Sequence, residues 1–306
     1  MLSSPVTVNL AIGLFTEVEL TPSPEWVVHD RDSDTMVVTS TRQDLIGRPR
    51  AELAASLLDY FAPENPVRIV THSDAPPHSG LGGSSSLGIS IAFALDRFCG
   101  TAKDPYQLIQ LVRDVEAEVL GGPTGEQDHF PPVFGGAQRL QWGKGAPRRT
   151  ELACDEHRLA QHLLLAYTHQ PHRSGANNWQ VVKRFLDGDQ STRRALNAIG
   201  EVAAAMADAL DDGRWVDVGR LLREEWAARR ELAPEVVSPE LEALMTAAND
   251  AGAIGSKACG AGGGGCFLVG VRPEDRESVC EAITHAGGEM LELRMSRVGV
   301  SVESIS

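Results

Sequence analysis

Apolar and polar positions alternate early in the chain. Leu14, Thr16, Val18 and Leu20 fall on one side of an extended segment, with Phe15, Glu17 and Glu19 on the other, and that period predicts a half-buried strand. Short apolar runs at 26–29, 36–39 and 67–71, bounded by Pro, Asp and Ser, predict three more. Leu53, Leu57, Leu58 and Phe61 recur at helical spacing, which predicts a helix over 51–61. Longer helices are predicted over 85–99 and 105–120, then a strand over 137–142. The second half opens on an apolar strand at 162–168. Helices follow at 180–186, 191–210, 215–231 and 239–251, then a strand pair at 255–258 and 265–271. A helix at 274–286 and strands at 290–293 and 299–302 close the chain. Strands and helices interleave without a regular βαβ repeat, so the expected fold class is α+β. The stretch 144–150 is polar and turn-rich, and it predicts two domains, 1–150 and 151–306.

Composition narrows the function classes. The 306 residues are 42% hydrophobic and 23% charged, close to ordinary globular usage. Twenty-eight Lys and Arg against 42 Asp and Glu leave a net charge of −14. Such a surface repels phosphate backbones, and aromatics at 5% leave little for base stacking, so nucleic acid is not the expected partner. No apolar run approaches the roughly 18 residues of a membrane span, and the first residues lack the regions of a signal peptide. Cys99, Cys154, Cys259, Cys266 and Cys280 are scattered and odd in number, the pattern of reduced thiols in a cytoplasmic protein. A small molecule is the expected partner.

Three segments carry candidate chemistry. The first, Pro76-Pro-His-Ser-Gly-Leu-Gly-Gly-Ser-Ser-Ser-Leu-Gly88, follows a predicted strand and enters an apolar helix. Its glycines let the backbone approach a ligand closely, and Ser84, Ser85 and Ser86 open the helix, where free N–H groups attract anions. That arrangement predicts a phosphate cradle; an ordinary Ser cap after a Gly turn fits the same residues. The P-loop pattern fails because Ser84 stands where it needs Lys. The hydrolase elbow fails because Leu87 stands where it needs Gly. The second segment, Lys257 through Cys266, sets five glycines between two apolar strands, and predicts a loop that closes over phosphate or substrate. The third runs from Glu116 through a Gly/Pro loop to Asp128, residue types able to supply a Mg²⁺ ligand and a base. Acidic residues on a helix are more often a solvated face.

Together these motifs resemble those of the GHMP small-molecule kinases. The family's central P-x-x-x-G-L-G-S-S-x is met by Pro76/Pro77 and Gly80-Leu-Gly-Gly-Ser84, with Gly83 in place of the first Ser. Its C-terminal K-x-x-G-A-G-G-G-G is met by Lys257 through Gly265. Gln127-Asp-His ahead of Phe134-Gly-Gly136 is similar to the sugar-kinase branch, which holds heptose-7-phosphate 1-kinase and fucose-type kinases. The resemblance spans nearly the whole chain.

The resemblance implies an N-terminal domain like ribosomal protein S5 domain 2 and a ferredoxin-like C-terminal domain. It implies ATP and Mg²⁺ as cofactors, and γ-phosphoryl transfer to a hydroxyl of a sugar or sugar phosphate, at the anomeric position or near it. By the same resemblance Asp128 is the base, and Ser84 and Glu116 hold Mg²⁺. Gly80, Leu81, Gly82, Gly83, Ser84, Ser85, Ser86, Gly262 and Gly263 surround ATP. Thr168, Arg173, Ser174, Asn177 and Gly263 lie beside the sugar. The family's first motif, a basic residue followed by G-G-G-T-D, has no counterpart in these residues. The expectation is a late start or the loss of that element. Rival readings are a non-catalytic nucleotide- or sugar-binding relative and a kinase of the mevalonate or homoserine type.

Overall fold

The computed structural model describes residues 5–171, 175–233 and 236–304, with the backbone alone for 175–178. Contacts divide the chain into two units that interleave in sequence. One holds Leu14–Pro76, Gly82–Gly135 and Val298–Ser306; the other holds Met1–Gly13, Pro77–Leu81 and Gly136–Arg297. That division does not fall at 150. Residues Arg148–Glu151 form a strand, β7, paired antiparallel with β6 (Ala137–Gln141), so the polar stretch before it is a hairpin turn.

The unit built on Leu14–Pro76 has a sheet of β2 (Thr16–Pro22), β3 (Trp26–Asp30), β4 (Thr35–Thr39) and β5 (Val67–Ser73), in the order β2-β5-β3-β4. β3 and β5 run parallel, and the other pairs antiparallel. The parallel pair is made possible by a crossover through α1 (Glu52–Phe61), whose Leu57, Leu58 and Phe61 are buried. Two helices carry the site. α2 (Gly83–Cys99) packs on β2, and α3 (Pro105–Leu120) packs on α1 and α2. α3 starts and stops on sequence signals. Asp104 and Gln107 form a capping box, Pro105 takes the first turn, and Gly121 ends the helix in the left-handed conformation. Past α3, a 3₁₀ turn at Gln127–His129 leads into α4 (Phe130–Phe134). Tyr106, Phe130 and Phe134 stack their rings 5.4 to 5.9 Å apart and pin that turn to α3.

The other unit has two antiparallel sheets. β1 (Val6–Leu10) pairs with β6 in the order β1-β6-β7. The second sheet is β11-β8-β10-β9, from β8 (Leu163–Tyr167), β9 (Gly255–Ala258), β10 (Cys266–Gly270) and β11 (Glu289–Leu291). With α9 (Pro239–Asp250) between β8 and β9 and α10 (Arg276–His285) between β10 and β11, this is the ferredoxin-like order expected. Leu164, Leu241, Leu244, Phe267, Val269 and Ile283 fill its core. α5 (Glu156–His162), α6 (Gly175–Leu186), α7 (Gln190–Asp211) and α8 (Trp215–Leu232) complete the unit, with α7 and α8 packed together.

The structure corrects the sequence reading at several elements. β1, β7, α4 and α5 carry no prediction, while the strand expected over 299–302 is not one. That segment is held instead by Val300 N–H donating to the Pro132 carbonyl.

Candidate active site

Gly82 sits at φ +75° immediately before α2. Glycine takes this left-handed conformation without the strain a side chain would bring. It caps the helix with no side-chain group, and the first turn of α2 holds no acidic residue. The first intrahelical bond runs from Ser86 N–H to the Gly82 carbonyl at 2.9 Å. Helical geometry therefore leaves the N–H groups of Gly83, Ser84 and Ser85 without intrahelical acceptors, at the positive end of the helix dipole.

Behind that helix start lies Glu116 of α3. It is buried, as is Ser85, whose hydroxyl donates to Glu116 Oε2 at 3.1 Å. Fully buried His129 places Nε2 3.2 Å from the same oxygen. That contact lacks the alignment of a hydrogen bond, so Nε2 has no hydrogen-bond partner among the described residues. Burial pushes the Glu116 carboxyl upward, but the His129 contact and the hydroxyls of Ser84 and Ser85 outweigh it and hold the group below its ordinary range. Ser84 itself is exposed. A carboxylate kept ionised beside a hydroxyl is a hard oxygen donor set, which suits Mg²⁺. The donors already on Glu116 do not exhaust its roughly four lone-pair sites.

His129 is the residue that sequence reasoning missed. Consecutive residues of a 3₁₀ turn point about 120° apart, so Asp128 is exposed while His129 is buried on Glu116. Asp128 lies against the helix start: a Cβ added to Gly82 would stand 3.3 Å from Asp128 Cβ. One unit thus brings together Gly82, Gly83, Ser84, Ser85, Ser86, Glu116 and Asp128.

The second glycine loop is packed within the other unit. Gly265 has φ +76°, and a Cβ there would stand 2.5 Å from the Ser79 carbonyl oxygen. Cys266 N–H donates to that oxygen at 2.7 Å, and Gly265 N–H to Gln170 O at 2.7 Å. The loop is therefore sewn to the segment that carries Gly80 and Leu81. Gly263 N–H donates to Val236 O at 2.6 Å, and a Cβ on Gly262 would stand 2.7 Å from the same oxygen. Backbone contact inside the protein accounts for these glycines. Gly265→Ala is expected to cost at least about 2 kcal/mol, from left-handed strain plus the clash; urea unfolding checks it. Lys257 reaches inward, its Nζ 3.5 Å from buried Glu225, which Arg229 also meets.

The expected sugar residues are divided. Thr168 is buried, donates its N–H to Gly265 O, and accepts from Gln170 N–H at 3.2 Å. Arg173 and Ser174 lie outside the described residues. Asn177 lies in α6, its side chain likewise outside the description.

The chain matches the description "GHMP kinases N terminal domain" over residues 50–136 and "GHMP kinases C terminal" over 206–289. It is 27% identical over 237 residues to the D-glycero-alpha-D-manno-heptose 7-phosphate kinase of Campylobacter jejuni, covering 75% of this chain and 68% of that one. It is 26% identical over 246 residues to the mevalonate kinase of Thermococcus onnurineus, covering 79% and 70%. Among solved structures, a D-glycero-D-manno-heptose 1-phosphate kinase from Bacteroides thetaiotaomicron superposes with a TM-score of 0.78 at 20% identity, over 98% of this chain and 91% of that one. The likeness extends to the two-domain α+β fold.

Proposed function

The chain belongs to the GHMP kinases, phosphotransferases with a hydroxyl acceptor, and from that footing we propose that it transfers the γ-phosphoryl group of ATP to a hydroxyl of a sugar or sugar phosphate, at the anomeric position or beside it. One observation carries the reading: an uncapped helix start with an exposed carboxylate, Asp128, packed against its first glycine. Phosphate oxygens accept from the N–H groups that open α2 after Gly82. Asp128 orients the acceptor hydroxyl and takes its proton as the oxygen bonds to phosphorus and ADP leaves. Ser84 and Glu116 hold Mg²⁺, which when bound neutralises charge on the phosphates. Positioning and charge stabilisation supply most of the rate.

No described helix is long and apolar enough to cross a membrane, and the five cysteines form no disulfide. The test is an ATP-consumption screen against sugars, sugar phosphates and mevalonate. Turnover with mevalonate alone would move the chain to the branch of its archaeal relative. Nucleotide binding without turnover would favour the non-catalytic reading.

Gly82→Val is expected to weaken nucleotide affinity and turnover by at least about tenfold, because a β-branched residue resists φ > 0 and crowds Asp128. Nucleotide titration of the folded variant checks it. Parent affinity would reduce Gly82 to a mere turn residue.

A further inference from the structure

The ring of His129 is fully enclosed, and each of its nitrogens faces an oxygen. Nδ1 lies 3.3 Å from the Glu126 carbonyl oxygen, at the start of the same turn. Nε2 lies 3.2 Å from Glu116 Oε2, on α3. A carbonyl and an ionised carboxylate only accept, so the ring spans two fixed acceptors on separate elements. The turn has an anchor of its own in the next residue, Phe130, whose ring meets Tyr106 at 5.9 Å.

The two oxygens of Glu116 are used unequally. Oε2 gathers the imidazole at 3.2 Å and the Ser85 hydroxyl at 3.1 Å, whereas Oε1 stands 3.5 Å from that hydroxyl. Ser84, which also meets the carboxylate, is exposed. The group is thus gripped from the interior on Oε2 and reaches the exposed start of α2. We propose that His129 is a positioning residue for the cation site: its ring fixes Glu116 Oε2 and so sets the direction in which Oε1 meets Mg²⁺. The inference rests on the reading of Glu116 and Ser84 as Mg²⁺ ligands. A partner that orients a metal ligand typically carries about 10–100-fold in metal affinity. Because Asp128 directly precedes His129, one turn presents the proposed base and supports the proposed ligand.

Mn²⁺ is the probe. Its binding to the full chain, saturated with a non-hydrolysable ATP analogue, is read by electron paramagnetic resonance and needs no turnover. Two substitutions separate the contacts of the ring. A Gln nitrogen sits at the ε position and still reaches toward Glu116; an Asn nitrogen sits at the δ position and serves only the Glu126 carbonyl. His129→Asn is expected to weaken Mn²⁺ binding by about tenfold or more, and His129→Gln by no more than about threefold. A ring that merely anchors the turn would give the reverse order and overturn the proposal. Adding His129→Asn to Glu116→Gln should cost no more than about a further twofold, since the group it orients is already changed. Losses that multiply would overturn the proposal too. Analogue affinity in EDTA should stay within about twofold of the parent, because the N–H groups that open α2 are untouched. A larger loss would trace the effect to the phosphate cradle and overturn the assignment. Thermal unfolding shows which variants fold, and His129→Leu, which fills the pocket without a nitrogen, decides in place of an unfolded His129→Asn. Parent-like Mn²⁺ binding by folded His129→Asn, with Glu116→Gln weakened, would sink this inference alone. Parent-like binding by Glu116→Gln would sink the metal reading beneath it as well.

Discussion

Asp128→Asn is expected to lower turnover by about 10²–10⁴-fold, the contribution of a positioned acid or base. The amide keeps the size and the 3₁₀ turn, so the aromatic cluster behind it stays in place. What it loses is the capacity to take a proton. Nucleotide affinity should change by no more than about twofold, the signature of an interaction made in the transition state rather than in the bound complex. ADP release and nucleotide titration on the same preparation measure both. Near-parent turnover would refute the base assignment.

Glu116→Gln should raise the Mg²⁺ needed for half-maximal turnover by about tenfold or more, because a charged oxygen donor becomes neutral. Glu118 is exposed and stands roughly 200° round α3 from Glu116, so Glu118→Gln should be nearly silent. Equal effects would remove Glu116 from the metal site. A second readout needs no activity. The Glu116 carboxyl is held below its usual 4.5 in the folded state. Its stabilisation is therefore present above that value and lost as pH falls toward the lowered one. Acid should weaken the parent protein more steeply than Glu116→Gln below about pH 4.5. At neutral pH the variant should lose about 1–3 kcal/mol, since the buried Ser85 hydroxyl loses its charged acceptor.

Much of the fold could be read from local signals. α3 announced itself by Asp104, Pro105, Gln107 and the closing Gly121, and β8 by an unbroken apolar run. β7 could not be read, because Arg-Arg-Thr-Glu carries no apolar face; only pairing with β6 makes it a strand. Residues 298–302 misled in the opposite direction. Val298, Val300 and Val302 alternate as a strand would, yet Val298 is 73% exposed and the segment joins no sheet. At the site, glycine and serine spacing marked the helix start, and the Gly/Pro loop after Glu116 pointed to Asp128. His129 gave no signal, since the meaning of a buried imidazole depends on Glu116, 13 positions earlier and reached only through tertiary packing. The glycines of the second loop were legible as unusual, but the reason for Gly265 is a carbonyl at Ser79, far upstream.

The pairing of Val6 with Gln141 and of Leu10 with Ala137 sets a schedule for making the protein. At about 5–20 residues per second, the ribosome needs on the order of ten seconds to deliver β6 after β1. Throughout that interval β1 has no ladder to join, and its Val-Thr-Val-Asn-Leu backbone is open to any passing strand edge. Loop closure across so long a separation is also slow in its own right. Solubility during synthesis should thus respond to chaperone supply and to growth temperature more sharply than the stability of the finished protein does.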